Sequence, residues 1–539
     1  MKSAAIAASL CLALSASVRA AEADDAYRGM SLVGGESHQH AATLVMIERV
    51  TKDPPLPGFG ARLHENGSAA DAYDAMRRGG YDWGSVSHHD TNFPGQMANI
   101  CIDPASEKYQ WWLRHVSKAG FPDATSTTGA AVSPPSNEAL ALSKVATSKT
   151  VEGEGGFLAF TGREFTNTSY TPSGVGAREG GHKIVILPGE TLGMCAGDGQ
   201  LNGDEYCRDE YRLYRWIATA PGPQAIVIQA HPRAVGTMDL RPVHPKNAPG
   251  GFSDAFVQGI EVSSANADPE WEQNYQRALQ LGYRLFPAFG SDSHNATWPG
   301  NEASARKSAT LCWVPARTRV ALIEAMHARR CYYATSWKPE LRFEMRSAGG
   351  GEWVPMGALL SAPDGKVELR AHAINDPRNA NVDPRFGKRF DLIELVDSQG
   401  RVPLFAPCTR AADGHDVCTL EAADLHLADG AFYTRIRMKD PKPEGCRSAA
   451  FPKLLPDCEK VVIGGAIYVN WDRYVAATPY RACRFGRDDA PCETPGCLPP
   501  NLDRDQDGYP DGCDVCPDLA NPDQADANKD GYGDACPRH

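Results

Sequence analysis

Between about Met30 and Thr335, short apolar runs alternate with longer stretches whose apolar residues return every three to four positions. That is the texture of strands alternating with helices. Ala69 to Gly79 reads as a helix closed by its glycine, and Trp83 to Ser87 as the strand that follows. Ile184 to Leu187, Ala225 to Gln229, Gly259 to Val262 and Leu285 to Phe289 are further buried-strand candidates, with helices over Glu270 to Leu281 and Arg319 to Arg329. The Ser/Thr/Ala/Pro-rich interval from Asp123 to Thr150 reads as a surface excursion. After Tyr333 the texture becomes alternating, in Glu340 to Met345, Val367 to Ala373, Leu392 to Val396, Phe432 to Met438 and Ala466 to Asn470. Gly, Pro and Asp separate these segments, which predicts a β-sandwich. From Arg481 onward Cys, Pro, Gly and Asp dominate, with too few large apolar residues for a core unaided by bridges or ions.

At 539 residues the chain is expected to hold two to four folding units. The boundaries read as a signal peptide over 1–20, an α/β unit over 21–336, a β-sandwich over 337–480 and a Cys-rich tail over 481–539. Met1-Lys2, an apolar run to about Leu14 and then Val18-Arg19-Ala20 have the parts of a secretory signal. That run is too short to span a bilayer, and no later stretch approaches about 20 uninterrupted apolar residues. The expected location is therefore secreted: periplasmic, cell-surface or extracellular. Cysteine usage points the same way, since loss of Cys11 with the signal leaves fifteen of sixteen cysteines, which implies an oxidising compartment. Close spacing suggests the pairs Cys195 with Cys207, Cys312 with Cys331, Cys408 with Cys418, Cys446 with Cys458 and Cys516 with Cys536; the odd total implies one thiol left free or paired between chains, with Cys101, which has no near neighbour, the candidate.

The formal charge of −12 is concentrated at the end, where ten aspartates after Asn501 are opposed only by Arg504, Lys529 and Arg538. The remainder is mildly acidic, which gives no support for nucleic-acid binding. No Gly-x-Ser-x-Gly elbow or Walker-type loop is present as a competing catalytic signature.

Candidate chemistry lies in histidines and carboxylates at predicted strand ends. In Gly35-Glu36-Ser37-His38-Gln39-His40 the i, i+2 spacing on an extended backbone sends both imidazoles to one side, where they can bind a transition metal. The same spacing recurs in Asp292-Ser293-His294. Between them lie His88-His89-Asp90, Glu164 in Gly162-Arg163-Glu164-Phe165-Thr166, His182, and His231-Pro232-Arg233. In a barrel of parallel strands such ends converge on one face, where active sites sit.

This ordered set, running from Gly35 to His294, resembles the PHP (polymerase and histidinol phosphatase) family of metal-dependent phosphoesterases. The resemblance implies an α/β fold, a distorted (β/α)7 barrel, with two or three divalent transition metals (Zn, Mn or Fe) at the strand ends. Carried over by position, it puts one metal on His38, His40, Glu164 and Asp292, and a second on Glu164, His182 and His231, with Glu164 bridging. A third takes His89 and His294; its remaining ligand falls near His64-Glu65-Asn66-Gly67 after an insertion, with His64 a candidate and the choice open. Where the family generally has Asp, this chain has His88, for which an added ligand, a proton shuttle and a neutral replacement all stay open. Ala325 to Thr335 resembles the exit from the barrel in members bearing an extra β-domain, with a boundary near Ser336.

Such a site makes a metal-bound hydroxide the expected nucleophile, with Asp292 as proton acceptor and Arg233 holding a phosphoryl oxygen. Arg178, Lys183, Arg306 and Lys307 are further cationic candidates, for which a solvated surface role is the simpler reading. The expected substrate is a small-molecule phosphoester. An amide or carboxylic ester on the same site is the alternative, and a calcium-dependent surface-binding protein with a degenerate barrel is the second.

In the tail, Asp503-Arg504-Asp505-Gln506-Asp507-Gly508 and Asp526-Ala527-Asn528-Lys529-Asp530-Gly531 set hard oxygen ligands at alternating positions before a turn glycine, as a chain wrapping calcium does. Asp511 and Asp514 continue the first loop and Asp534 the second. With Asp514-Val515-Cys516-Pro517-Asp518 and Gly533-Asp534-Ala535-Cys536, the segment resembles thrombospondin type 3 repeats. That resemblance implies bound calcium; spacing, contact with a cell surface or matrix, and resistance to proteolysis all stay open as the tail's job.

Overall fold

The computed structural model describes residues 25–41, 68–89, 143–169, 178–187, 225–231, 257–263, 271–280, 282–293, 308–335, 338–375, 390–438, 460–477, 519–520 and 535. The signal segment, His64, Cys101, Arg233, His294, Arg306, Lys307 and the calcium positions from Asp503 to Asp534 lie outside the described residues.

The chain is a mixed α/β protein in which strands dominate. Strands β1 (Ser31–Gln39), β2 (Trp83–His89), β3 (Leu158–Ser169), β4 (Arg178–Leu187), β5 (Ile226–Gln229), β6 (Gly259–Ser263) and β7 (Phe286–Phe289) lie side by side in chain order. On the other edge of β1, β8 (Ala309–Val314) and then β9 (Cys331–Ala334) continue the same sheet. One bridge between Gln39 and Ser293 joins the end of β1 to the segment after β7. The described helices of this half are α1 (Ala69–Arg78), α2 (Trp271–Gln280), α3 (Arg319–His327) and a helical stretch over 143–149.

Helix α1 starts where Ser68 and Asp71 form a capping box, each side chain accepting from the other's backbone N–H. It buries Ala72, Tyr73 and Met76. The left-handed residue that ends it is Gly80 (φ 86°), one beyond the Gly79 expected from the sequence. The interval read as a surface excursion needs a correction at its end. The helical stretch over 143–149 places Ala146, 1% exposed, in the core beside Tyr73 and Phe157.

The all-parallel sheet expected from the alternation is also corrected. β1, β2 and β3 are parallel, as are β5, β6 and β7, but β4 runs antiparallel to both β3 and β5. Only residues 170–177 separate β3 from β4, and a parallel crossover needs a dozen residues or more. β8 is likewise antiparallel to β1.

The second half contributes β10 (Glu340–Ser347), β11 (Val354–Pro355), β12 (Leu359–Leu360), β13 (Lys366–Asn375), β14 (Phe390–Asp397) and β15 (Leu404–Pro407). There follow β16 (Thr409–Arg410), β17 (Asp416–His426), β18 (Gly430–Met438), β19 (Lys460–Ile463), β20 (Ile467–Val469) and helix α4 (Trp471–Ala477). One five-stranded sheet has the order β11-β10-β13-β17-β16. Strand β13 shows why these segments are strands: Val367, Leu369, Ala371 and Ala373 are buried and the residues between them are not. They share a core with Leu341 and Phe343 of β10, Ile393 and Leu395 of β14, and Phe432 and Ile436 of β18.

Hydrogen bonding continues past Ser336, because β19 pairs with β9 (Val462 with Ala334, Ile463 with Tyr333), so both halves share one long sheet. A buried polar knot fastens them further. Glu272 of α2 accepts from Tyr433 (2.6 Å) and Arg435 (3.0 Å) of β18, and Arg435 also bonds Glu394 of β14 at 2.7 Å.

Two disulfides, Cys312–Cys331 and Cys408–Cys418, are present, in keeping with an oxidising environment. The other three expected pairs lie outside the described residues. Among the described residues no helix is long and apolar enough to cross a membrane.

Candidate metal centre

The orientation of His38 and His40 depends on an irregularity in β1. Gly35 is in register with Trp83 and Gln39 with Val86, and these two partners, three residues apart, face opposite sides of β2. Gly35 and Gln39 therefore also face opposite sides, although strict alternation would put residues four apart on the same one. The register slips between Glu36 and Gln39, and this bulge turns both histidines toward the side occupied by Trp83 and Glu164. Gly35 has to be glycine there: a Cβ would sit 2.3 Å from the Trp83 ring.

Four side chains converge. His38 Nε2 lies 3.0 Å from His40 Nε2, 3.5 Å from Glu164 Oε2 and 3.5 Å from Asp292 Oδ1. His40 Nε2 lies 3.3 Å from Glu164 Oε2 and 3.2 Å from Asp292 Oδ1. A divalent ion about 2.1 Å from each of four tetrahedral ligands spaces those ligands about 3.4 Å apart. The five separations cluster around that edge length. The donor set also fits, since two imidazoles and two carboxylates suit zinc, manganese or iron.

Asp292 is delivered by the segment after β7. Its N–H donates to His38 O (2.9 Å), His40 N–H donates to Ser293 O (2.8 Å), and Asp292 sits at φ 51°, a left-handed conformation that Asp tolerates better than most residues. Glu164 faces a second direction as well: its Oε1 is 2.8 Å from His231 Nε2. His38, His40 and Glu164 are fully buried, whereas the side chains of Asp292 and His231 are 13% and 15% exposed. The centre thus opens to solvent on the Asp292 and His231 side.

Two carboxylates that sequence reasoning gave no role complete the arrangement. Glu261 of β6 accepts from His38 Nδ1 (2.8 Å) through Oε1 and from the His231 N–H (2.5 Å) through Oε2. With Nδ1–H pointing at Glu261, His38 presents the Nε2 lone pair to the cluster, the usual outer support of a metal-binding histidine. Gly290 makes room for it, because a Cβ there would lie 1.9 Å from Glu261 Oε1. Glu36, fully buried, accepts from His38 N–H (2.7 Å) and Ser291 N–H (2.9 Å), both on Oε1. The signals were there to read: Glu261 is a lone carboxylate in the apolar run Gly259-Ile260-Glu261-Val262, and Glu36 stands two residues before His38 of the His-x-His pair.

Proton affinities follow from this crowding. Burial lowers the His38 pKa, but Glu261, Glu164 and Asp292 outweigh it and hold the imidazole well above the ordinary histidine range. Burial likewise lowers His231, and its hydrogen bond and charge contact with Glu164 reverse the sign. Burial alone would raise Asp292; His38 and His40 pull it below the usual carboxylate range instead. Burial pushes Glu36 up to about 8, against the backbone N–H groups of Ser291 and His38 and the charge of the His38 ring.

Of the sequence-predicted ligands, His38, His40, Glu164 and Asp292 come together, with His231 on Glu164. His89 is in backbone register with Glu164, and His182 with Thr166, two residues further along β3. Because β4 runs antiparallel, its beginning lies at the end of the sheet where β3 finishes, which carries His182 to the Glu164 side. His88 is in register with Arg163. The side chains of His88, His89, His182 and Arg178 lie outside the described residues. Lys183, assigned a solvated role from the sequence, is fully buried and is corrected to an interior residue of β4.

Comparison with protein-family models and with curated proteins finds no match for this chain.

Proposed function

We propose that this chain is a secreted metal-dependent hydrolase of phosphoester-like substrates, built on a PHP-like (β/α)7 barrel with a β-sandwich beside it. The observation that carries this reading is the convergence of His38, His40, Glu164 and Asp292, with the five separations that involve a histidine lying near the edge length of one coordination tetrahedron. His38, His40, Glu164 and Asp292 would hold one divalent transition ion. Glu164 through Oε1, His231 and His182 would hold a second; His89, His294 and a group near His64 are the candidates for a third.

Such ions, when bound, would lower the pKa of a bound water and offset the charge that builds on an ester oxygen in the transition state. The chain's own residues do the rest. Glu164 joins the two halves of the centre, one oxygen toward each. Asp292, on the open side of the centre, takes or holds the proton of the attacking water. Arg233, two residues beyond His231, would hold a phosphoryl oxygen in a bidentate contact. The aspartate tail would bind calcium and give this secreted enzyme a surface or matrix contact.

The test is turnover of phosphomonoesters, phosphodiesters, carboxylic esters and amides by the full chain, reconstituted separately with zinc, manganese and iron. Phosphoester turnover abolished by Glu164→Gln with retained fold supports the reading. Turnover confined to carboxylic esters or amides replaces the substrate class, and a chain that takes up calcium but no transition metal is a binding protein instead.

A further inference from the structure

Two buried carboxylates flank the cluster without joining it, and they use their oxygens differently. Glu36 receives both of its N–H donors, from His38 and Ser291, on the single atom Oε1, while its buried Oε2 meets no hydrogen-bond partner among the described residues. Glu261 divides its donors: Oε1 receives His38 Nδ1–H and Oε2 receives the His231 backbone N–H. We infer that both are positioning residues of the centre with different requirements, Glu36 acting as one neutral-tolerant acceptor atom and Glu261 as an obligatory pair of acceptors. The inference rests on the reading of the cluster as a metal centre.

The geometry supplies the reason for each half. Glu36 Oε1 ties the N–H of His38, inside the β1 bulge, to the N–H of Ser291, next to Asp292. One atom thereby holds two ligand-bearing segments in register. A glutamine can do the same, because its carbonyl oxygen accepts two N–H groups. Its amide nitrogen would then occupy the position of Oε2, replacing an oxygen that makes no hydrogen bond.

Glu261 cannot be replaced so simply. A glutamine offers one acceptor where two donors arrive, so its NH2 must face either the His231 N–H or His38 Nδ1–H. In the first case the His231 backbone is pushed from its place. In the second, the His38 proton moves to Nε2, the nitrogen that faces His40, Glu164 and Asp292, and blocks a ligand position. Loss of an outer-shell partner of this kind typically costs ten- to a hundredfold in metal affinity.

The test uses the full chain and four variants, Glu36→Gln, Glu36→Ala, Glu261→Gln and Glu261→Asp, each checked for fold by circular dichroism. Zinc affinity is read by competition with a chromophoric chelator, and ligand geometry by the visible spectrum of the cobalt(II)-loaded protein. Expected is wild-type zinc affinity within about threefold and an unchanged cobalt spectrum for Glu36→Gln, with loss for Glu36→Ala. Glu261→Gln is expected to lose ten- to a hundredfold in affinity and to shift the cobalt bands. If Glu261→Gln does not fold, Glu261→Asp, which keeps two acceptors on a shorter arm, is expected to bind more weakly with a displaced spectrum. Equal behaviour of the two glutamine variants, or wild-type affinity and spectrum in Glu261→Asp where that variant is the one read, overturns the inference alone. A wild-type chain that binds no transition metal overturns the metal reading and this inference with it.

Discussion

His38 and His40 present their Nε2 atoms to each other at 3.0 Å, with His38 Nδ1 hydrogen-bonded to Glu261 at 2.8 Å. Two imidazole lone pairs directed at one point repel unless a proton or a metal ion lies between them. Burial lowers the His38 and His231 pKa values, yet the surrounding carboxylates hold both above the ordinary range, so the metal-free centre holds protons that an ion must displace.

Metal uptake should therefore depend on pH. A group whose folded pKa is raised contributes stability that is complete below its unfolded value, near 6.5 for histidine, and lost as pH rises through the folded value. The metal-free protein thus loses this contribution as pH rises, while zinc affinity increases. Titration calorimetry in buffers of differing ionisation enthalpy is expected to show net proton release on zinc binding at pH 7, and the thermal shift caused by zinc should grow from pH 6 to pH 8. A shift that shrinks over that interval would contradict the protonated resting state.

Glu36 makes a separate prediction for the metal-free protein. Burial raises its pKa from 4.5 to about 8, so the neutral form fits the fold. Its favourable contribution is present below pH 4.5 and lost as pH rises through 8, with an upper limit of about 5 kcal/mol. Glu36→Gln, neutral at every pH, is expected to melt at a higher temperature than wild type at pH 8.5 and at nearly the same temperature at pH 5. Denaturant or thermal melts of chelator-treated protein measure this directly; a variant less stable at pH 8.5 contradicts it.

The two disulfides should separate under mild reduction. Cys312 and Cys331 are both fully buried, joining β8 to β9, whereas Cys408 is partly exposed beside buried Cys418. Timed alkylation with mass spectrometry is expected to label Cys408 and Cys418 before Cys312 and Cys331. Replacing the Cys312 and Cys331 pair by alanine is expected to lower stability by about 3 kcal/mol.

Much of this architecture was legible because local pattern and packing agree. The strands at Trp83, Ile226, Gly259 and Phe286 and the helices at Ala69, Trp271 and Arg319 begin within one or two residues of where periodicity predicts them. The direction of β4 was not read, though the short link over 170–177 contained it. The β1 bulge is a different case. It is a change of parity held by Glu36 together with Ser291 and the Trp83 ring, and the last two lie far from His38 along the chain. Four ligands of the cluster were visible as residue types at strand ends; Glu261 was visible only as a lone carboxylate in an apolar strand, and its role follows from the atom it touches, His38 Nδ1.

The most direct measurement is the metal content of the purified full chain by elemental analysis, beside that of Glu164→Gln. Predicted is at least one equivalent of zinc, manganese or iron in wild type, and a clear reduction in the variant, whose amide weakens both the His40 side and the His231 side of the centre. Less than one equivalent in wild type after reconstitution, or undiminished metal in Glu164→Gln, would contradict a metal centre built on this residue.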